Sequence, residues 1–251
     1  MEDTLKPWLA RLFKNRLALF LALLAIQSLF FVTNTANSLL REPDDGVELK
    51  IAFIDNHLTP GGIWLIPYVI GFFFAALIPW WAAHNMPIKL YRQFILSMAL
   101  AALFSYAVYI LFPTYVVKPT ASDVPGRDIF SQLLRLVYET DNAYSTHNAA
   151  PSQHVFYAVI NMCFVIRFRP SPRVFWTWTT LAALITASAL LTRQHHSPDL
   201  ITGYIVAIGA YWAGLRLGEW VTDRLDDEFH PALAPARRLL LRRRTIRADS
   251  I

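Results

Sequence analysis

Charged residues are scarce in this chain, and that scarcity decides the class of protein. Only 16% of the 251 residues are charged, whereas a soluble domain usually carries about 25%. Aliphatic and aromatic residues make up 55%, and the mean hydropathy is +0.35. The composition therefore argues against an ordinary soluble enzyme and predicts an integral membrane protein.

Cysteine is nearly absent as well. The single cysteine, Cys163, excludes an internal disulfide and lies inside an apolar run, which favours a buried, unreactive thiol. The net charge of +5 comes from basic residues concentrated beside apolar segments, which favours contact with a membrane surface over nucleic-acid binding. The sequence thus predicts a membrane as partner, no nucleic acid, and no particular oligomeric state.

Six apolar segments are long enough to cross or nearly cross a bilayer, which takes about 20 helical residues. They lie near 17–33, 62–83, 94–113, 152–168, 174–192 and 200–217. Because a spanning segment must satisfy its backbone hydrogen bonds internally, each is predicted to be a helix. Residues Ile129 to Tyr138 predict a short amphipathic helix on the membrane surface. The predicted fold class is all-α: an integral membrane six-helix bundle with short interfacial helices.

Lysine and arginine are distributed unevenly between the two sides of these six segments. Seventeen lie in the N-terminal segment, the second and fourth loops and the C-terminal tail, and six lie on the other side. Basic residues accumulate on the cytoplasmic side, so both termini are predicted to be cytoplasmic. We expect residues 1–222 to form the membrane catalytic domain, with its motifs in 112–199, and residues 223–251 to form a charged cytoplasmic tail.

The polar segment T-R-Q-H-H-S-P-D, Thr192 to Asp199, precedes the sixth apolar run. His195 is predicted to open the sixth helix, with Asp199 one turn further along on the same face. A carboxylate in that position orients an imidazole and stabilises its positive form, which makes the histidine a good nucleophile. Arg193 lies at the same membrane edge and matches phosphate oxygens bidentately.

A second polar segment, N-A-A-P-S-Q-H-V, runs from Asn148 to Val155. Pro151 is predicted to be the first residue of a helix, with Ser152 close behind it. Backbone N–H groups at a helix start bind anions. His154 in the first turn is placed to give a proton to a leaving group. The two segments together predict phosphoryl chemistry on the extracytoplasmic side.

The motifs resemble those of the type 2 phosphatidic acid phosphatase superfamily. P-S-Q-H at 151–154 resembles the family's P-S-x-H, H-H-S-P-D at 195–199 resembles H-x-x-x-D, and F-P-T-Y-V-V-K-P at 112–119 resembles its first motif. T-R-Q-H-H is similar to the T-K-Q-H-Y version of the inositol phosphorylceramide synthase branch and its bacterial relatives. The family's usual arginine is replaced by Ala189, and Arg193 is a candidate substitute.

The resemblance implies a membrane lipid phosphatase, in the bacterial inner (plasma) membrane, that hydrolyses a lipid phosphate or diphosphate ester through a phosphohistidine. His195 is then the nucleophile, Asp199 orients it, and His154 protonates the leaving oxygen. Phosphate oxygens are assigned to five residues: Lys118, Arg193, Ser152, Gln153 and Arg127. Supporting roles are assigned to four residues: His147, His196, Asn148 and Asp141.

The sequence leaves three alternatives to a lipid phosphatase. In a lipid phosphotransferase, with headgroup transfer like that of inositol phosphorylceramide synthase, an acceptor hydroxyl replaces water. A non-catalytic membrane binder or transporter would keep the fold alone. A zinc site built from His154, His195 or His196 and Asp199 lacks the H-E-x-x-H pattern and a neighbouring glutamate base. We expect no metal and no cofactor, because fixed cations can stabilise the charge on phosphate.

Overall fold

The computed structural model describes residues 6–42, 44–144 and 146–229. Helices dominate, and the only strands in the described part are two short ones. The helices are α1 (Pro7–Lys14), α2 (Arg16–Leu40), α3 (Ala52–Asp55), α4 (Leu65–Asn85), α5 (Ile88–Leu111), α6 (Ile129–Tyr144), α7 (Gln153–Phe168), α8 (Pro172–Leu191) and α9 (Ser197–Phe229). The strands are β1 (Val47–Glu48) and β2 (Thr114–Tyr115).

Five of these helices are long and apolar enough to cross a membrane: α2, α4, α5, α8 and α9. The remaining apolar helix, α7, corresponds to the predicted segment 152–168. It has 16 residues and is therefore about 24 Å long, shorter than the roughly 30 Å of a bilayer core. The prediction of an all-α membrane bundle is confirmed.

Helix α5 forms the centre of the bundle. In its apolar window 50% of the residues are buried, against 17% to 33% in the other four spans. It packs most extensively against α9, where Gly214 lies on Ser97 and Gly218 lies on Gln93. A Cβ atom at either glycine would collide with the α5 backbone, so these small residues permit the close approach of two membrane helices.

The segments that connect α2 to α4, α5 to α7 and α8 to α9 meet at one end of the bundle, which we call the site end. There β1 pairs in parallel with β2, and Tyr115 of β2 is bridged to His147. The amphipathic helix predicted at 129–138 is present as α6 and continues to Tyr144, with Leu134 and Tyr138 packed on Leu65 of α4. The site end is therefore covered by ordered connections.

Several helix ends differ from the predicted ones. The last span continues to Phe229 rather than ending near 217, because its polar residues there extend the helix beyond the apolar run. Pro151 is not the first residue of α7, since Ser152 is the N-cap and Gln153 begins the helix. The predicted domain division at residue 222 stays a prediction, and the basic part of the predicted tail, 230–251, lies outside the described residues.

Candidate active site

The turn between α8 and α9 carries the second motif, and defined backbone contacts hold it. The His195 N–H donates to the Ala189 carbonyl at 3.1 Å, and the His196 N–H donates to Asp199 Oδ2 at 2.9 Å. Arg193 has a φ of 50°, in the left-handed region, where the chain reverses after α8. The nucleophile candidate is thus fixed by the end of one helix and the start of the next.

His195 and Asp199 face each other in a nearly dry environment. Nδ1 of His195 lies 3.4 Å from Oδ2 of Asp199, and the two residues are 9% and 1% exposed. This distance is long for a hydrogen bond, as is common for catalytic pairs without substrate. Because Nδ1 faces the carboxylate, Nε2 on the opposite side of the ring is the nitrogen available for attack.

The pair meets in a way that the sequence did not predict. Helix α9 begins at Ser197, so His195 precedes the helix by two residues instead of opening it. Asp199 lies in the first turn and reaches back across the helix start. The spacing of four residues therefore brought the two side chains together, but not along one helical face.

The first motif is held directly against the second. The buried Ser152 donates its backbone N–H to the Asp199 carbonyl at 3.0 Å. Just before it, Ala150 donates its N–H to the hydroxyl of Thr114 at 2.7 Å, and the Tyr109 hydroxyl donates to the Pro151 carbonyl. The N-terminus of α7 consequently lies beside the His195–Asp199 pair.

His154 stands in the first turn of α7 between two aromatic rings. Its imidazole stacks on Tyr68 of α4, with ring centroids 4.0 Å apart and planes inclined by 22°. On its other side the His195 ring lies 6.2 Å away, centroid to centroid, at 63°. The two histidines are therefore neighbours, and Tyr68 fixes the orientation of His154.

Several buried polar atoms around these rings have no hydrogen-bond partner in the described part of the chain. They are Ser152 Oγ, Gln153 Nε2, His154 Nε2, Gln194 Nε2, His195 Nδ1 and Asp199 Oδ1. Helix α7 also lacks a side-chain cap among the described residues, so the N–H groups of its first turn have no side-chain acceptor. Buried polar groups are normally paired. The unpaired donors among these atoms, Ser152 Oγ, Gln153 Nε2 and Gln194 Nε2, together with the N–H groups at the start of α7, are suited to an anion.

The candidate cations lie on the connecting segments at the site end. Lys118 is half-buried and follows β2, four residues after Thr114. Arg193 is half-buried in the motif turn and lies near Asp123, where hydrogen bonds from Thr120 lower the pKa of the Asp123 carboxyl and the Arg193 charge contributes. Arg127 is exposed, and its side chain makes no hydrogen bond or ion pair within the described part, so the structure gives it no link to the histidines.

Gln153, also predicted to bind phosphate, lies next to the buried tyrosines Tyr106 and Tyr109. Its side chain lines a cavity of about 230 Å³ between α2, α4 and α7, together with His154 and Tyr157. The rest of the lining is mainly apolar and includes Leu24, Phe30, Phe31, Phe72, Ala75 and Ala76. The proton-donor candidate therefore lines a cavity that is mainly apolar.

Of the predicted supporting residues, Asn148 and His147 hold the first motif. Asn148, with φ of 64°, accepts a hydrogen bond from Asn37 of α2 at 2.7 Å and donates to Thr33 at 3.2 Å. The buried ring of His147 contacts the Asp45 carbonyl, 2.9 Å from Nε2. Neither contact reaches the His195–Asp199 pair directly.

The other two supporting candidates have different outcomes. His196 turns away from Asp199 and places Nε2 3.1 Å from Glu48 of β1. Asp141 lies in the last turn of α6, and its side chain lies outside the described part of the structure. The His196 side chain thus joins the motif turn to the segment between α2 and α4.

Sequence reasoning missed Asn37, Glu48, Asp55, Tyr68 and Gln194. Four of them are distant from the motifs in sequence, and only folding brings them to the site. Gln194 lies inside the motif T-R-Q-H-H, and its position directly before a predicted nucleophile was a signal in the sequence. An asparagine within an apolar span, like Asn37, is a further signal, because polar groups are costly there.

No group of three or more histidine, cysteine, aspartate or glutamate side chains within the described residues is arranged to hold a metal ion. The absence of a metal requirement stays a prediction.

The comparisons with known proteins identify one family. The family model of the PAP2 superfamily matches residues 52–213, which include both histidine motifs and the connections from α3 onward. No curated protein and no solved structure matches the chain.

Proposed function

This chain belongs to the PAP2 superfamily, whose members are generally phosphatases or phosphotransferases, and we propose that it is a membrane lipid phosphatase. It hydrolyses a lipid phosphate or diphosphate ester through a phosphohistidine on His195. The observation that carries the proposal is the group of unpaired buried donors at the N-terminus of α7, beside the His195–Asp199 pair. It offers a site for a phosphate group within reach of a held imidazole.

In the first step, Nε2 of His195 attacks phosphorus and the bond from phosphorus to the lipid oxygen breaks. The leaving oxygen takes a proton from Nε2 of a protonated His154, and the lipid alcohol, or lipid phosphate if the substrate is a diphosphate, departs. Asp199 accepts from Nδ1–H of His195 and stabilises the positive charge that the phosphorylated ring acquires. Lys118, Arg193 and the α7 N–H groups hold the phosphoryl oxygens.

In the second step, water attacks the phosphohistidine. His154 now takes a proton from that water, the N–P bond breaks, and inorganic phosphate leaves with His195 restored. Each histidine thus ends the cycle in its starting protonation state. The sequence motifs and the placement of the two rings support this division of roles.

The experiment that tests this function uses purified protein and long-chain lipid phosphates, with and without an added polyol or lipid acceptor. Release of inorganic phosphate without an acceptor supports the phosphatase. Headgroup transfer that requires the acceptor would instead support the phosphotransferase, and neither reaction would leave a non-catalytic protein. His195→Ala is the negative control in every arm.

The role of His154 determines where the lipid chain of the substrate would lie. Since His154 protonates the oxygen that carries the lipid, that lipid extends from His154 into the cavity between α2, α4 and α7. Most of the cavity lining is apolar, as a hydrocarbon chain requires.

Ala76→Phe should fill part of this cavity. We expect KM for a long-chain lipid phosphate to rise by about 10-fold or more, while turnover of a short aryl phosphate changes little, because only the long chain needs the space. Leu77→Phe is the matched control, since Leu77 is exposed on the same helix and does not line the cavity. Equal KM values for the long-chain substrate in both variants would place the chain elsewhere.

The five long apolar helices make this an integral membrane protein. We propose that it lies in a bacterial plasma membrane with both termini in the cytoplasm, so that the site end faces the extracytoplasmic side. The excess of basic residues at the opposite end of the bundle supports this orientation.

A labelling experiment tests the orientation. In a Cys163→Ala background, a cysteine at the exposed Ser122 should react with a membrane-impermeant maleimide in intact cells. A cysteine at the exposed Asn85, at the other end of the bundle, should react only after the cells are opened. The reverse pattern would invert the topology.

A further inference from the structure

The connection between α2 and α4 supplies a buried carboxylate to the turn that carries His195. Asp55, the last residue of α3, is 1% exposed. Its Oδ1 accepts hydrogen bonds from the Ser197 N–H at 3.0 Å and the Ser197 hydroxyl at 2.7 Å, and its Oδ2 accepts from the Ile51 N–H at 2.8 Å. One carboxylate therefore joins two segments 142 residues apart in sequence.

Ser197 is where this contact acts on the site. It begins α9 and lies two residues after the nucleophile candidate. In this turn the His195 N–H is fixed by α8, the His196 N–H by Asp199, and the Ser197 N–H by Asp55. Of these three acceptors, Asp55 is the one that comes from outside the α8–α9 hairpin.

Electrostatics favour a charged carboxylate at this place. Burial raises the pKa of Asp55, but the hydrogen bonds from Ser197 and Ile51 outweigh it, so that the pKa is lowered overall. Asp55 also lies at the N-terminus of a 33-residue helix, where negative charge is stabilised by the helix dipole. The same end of α9 holds Asp199, so two carboxylates occupy it.

We infer that Asp55 is a positioning residue for the reaction, which holds the His195 imidazole in line with phosphorus by anchoring Ser197. The inference rests on the proposed role of His195 as nucleophile. Asp55 does not touch the substrate. The segment between α2 and α4 holds the α8–α9 hairpin at two further points. Glu48 contacts His196, and the Gly61 N–H donates to the Leu191 carbonyl at 3.1 Å.

Asp55→Asn tests the inference. The amide keeps one acceptor oxygen. When that oxygen faces Ser197, the Ile51 N–H meets an NH2 donor, and when it faces Ile51, both Ser197 contacts are lost. In either orientation the negative charge and one side of the anchor are removed. Since a displacement of about 1 Å costs roughly 100-fold in rate, we expect the rate constant for chemistry to fall by about 10- to 100-fold. KM should stay within about threefold of wild type, because the phosphate-holding groups on α7 are unchanged.

The rate should be measured in single turnovers with enzyme saturating and in excess over a lipid phosphate. Under these conditions the rate constant reports only the folded molecules, so an unfolded fraction does not lower it. Asp128→Asn is the matched control. Asp128 accepts from the N–H and hydroxyl of Ser131 in the same way, but at the start of α6, and its variant should keep the wild-type rate constant.

Ser197→Ala supplies a second approach that removes only the hydroxyl contact. Its rate constant should fall by about threefold or more, less than in Asp55→Asn, because the Ser197 N–H still donates to Asp55 and the turn shifts less. In the double variant the losses should not multiply, because both changes break the same contact. Should Asp55→Asn fail to fold, Ser197→Ala alone decides, and an unchanged rate constant there overturns the inference.

The outcomes separate this inference from the proposed function. An active wild type with an unaltered single-turnover rate constant in Asp55→Asn overturns the positioning role and leaves the function intact. A wild type that releases no phosphate from any lipid phosphate removes the proposed function, and the inference with it. A rate loss equal to that of Asp128→Asn would show a general effect of lost helix caps and would also overturn the positioning role.

Discussion

Replacing His195 by alanine is expected to abolish turnover of lipid phosphates, with kcat lowered by about 10⁴-fold or more. The reason is chemical: without the imidazole no covalent intermediate forms, and the neighbouring His196 ring is held on the other side of the turn by Glu48. Phosphate release from a long-chain lipid phosphate gives the measurement. An aryl phosphate should not restore activity, because a better leaving group does not replace a missing nucleophile.

Two controls accompany this variant. His84→Ala removes an exposed histidine near the opposite end of the bundle and should leave kcat unchanged. His196→Ala removes the adjacent ring and should keep most of the activity. Wild-type turnover in His195→Ala, or loss of all turnover in His196→Ala alone, would show that the nucleophile is wrongly assigned.

Replacing His154 by alanine is expected to slow the reaction by roughly 10²- to 10⁴-fold with a lipid alkyl phosphate, the usual cost of a lost general acid. With an aryl phosphate the loss should be much smaller, because an aryl oxide leaves without protonation. The ratio of kcat values for the two substrates, compared between the variant and wild type, therefore isolates the proton transfer.

The neighbouring Tyr68 provides the matched test for this assignment. Tyr68→Phe keeps the ring that stacks on His154 and should keep the wild-type ratio of alkyl to aryl turnover. An equal loss with alkyl and aryl substrates in His154→Ala would exclude a general-acid role and leave His154 as a residue that holds phosphate or shapes the site.

The sequence predicted the groups that lie close together along the chain. Spans of apolar residues predict membrane helices because lipid permits few other structures. Five of the six predicted spans are helices long and apolar enough to cross a membrane, and the sixth, at 152–168, is a shorter apolar helix. The spacing of His195 and Asp199 brought them within 3.4 Å because four residues at a helix start allow little freedom. Even so, the predicted helix start was two residues early, since local propensity does not fix where a turn ends.

The contacts that hold the site from a distance were beyond the sequence. Asp55, Asn37 and Tyr68 come from three segments whose proximity to the motifs depends on how the helices pack. In the sequence Asp55 looks like any loop aspartate, and only its burial against Ser197 distinguishes it from the others. Asn37 also lies outside the stretch that the family model matches, so the match does not include it.

The most direct test of a phosphohistidine at His195 is to trap it. Wild-type protein is mixed with a lipid phosphate labelled at phosphorus, stopped within one turnover in alkaline detergent, and digested for peptide mapping. We predict label on the peptide that contains His195, lost on mild acid treatment as expected for a phosphorus–nitrogen bond, and absent from His195→Ala. Label that stays on the protein in His195→Ala, or that maps to a residue other than His195, would contradict the account.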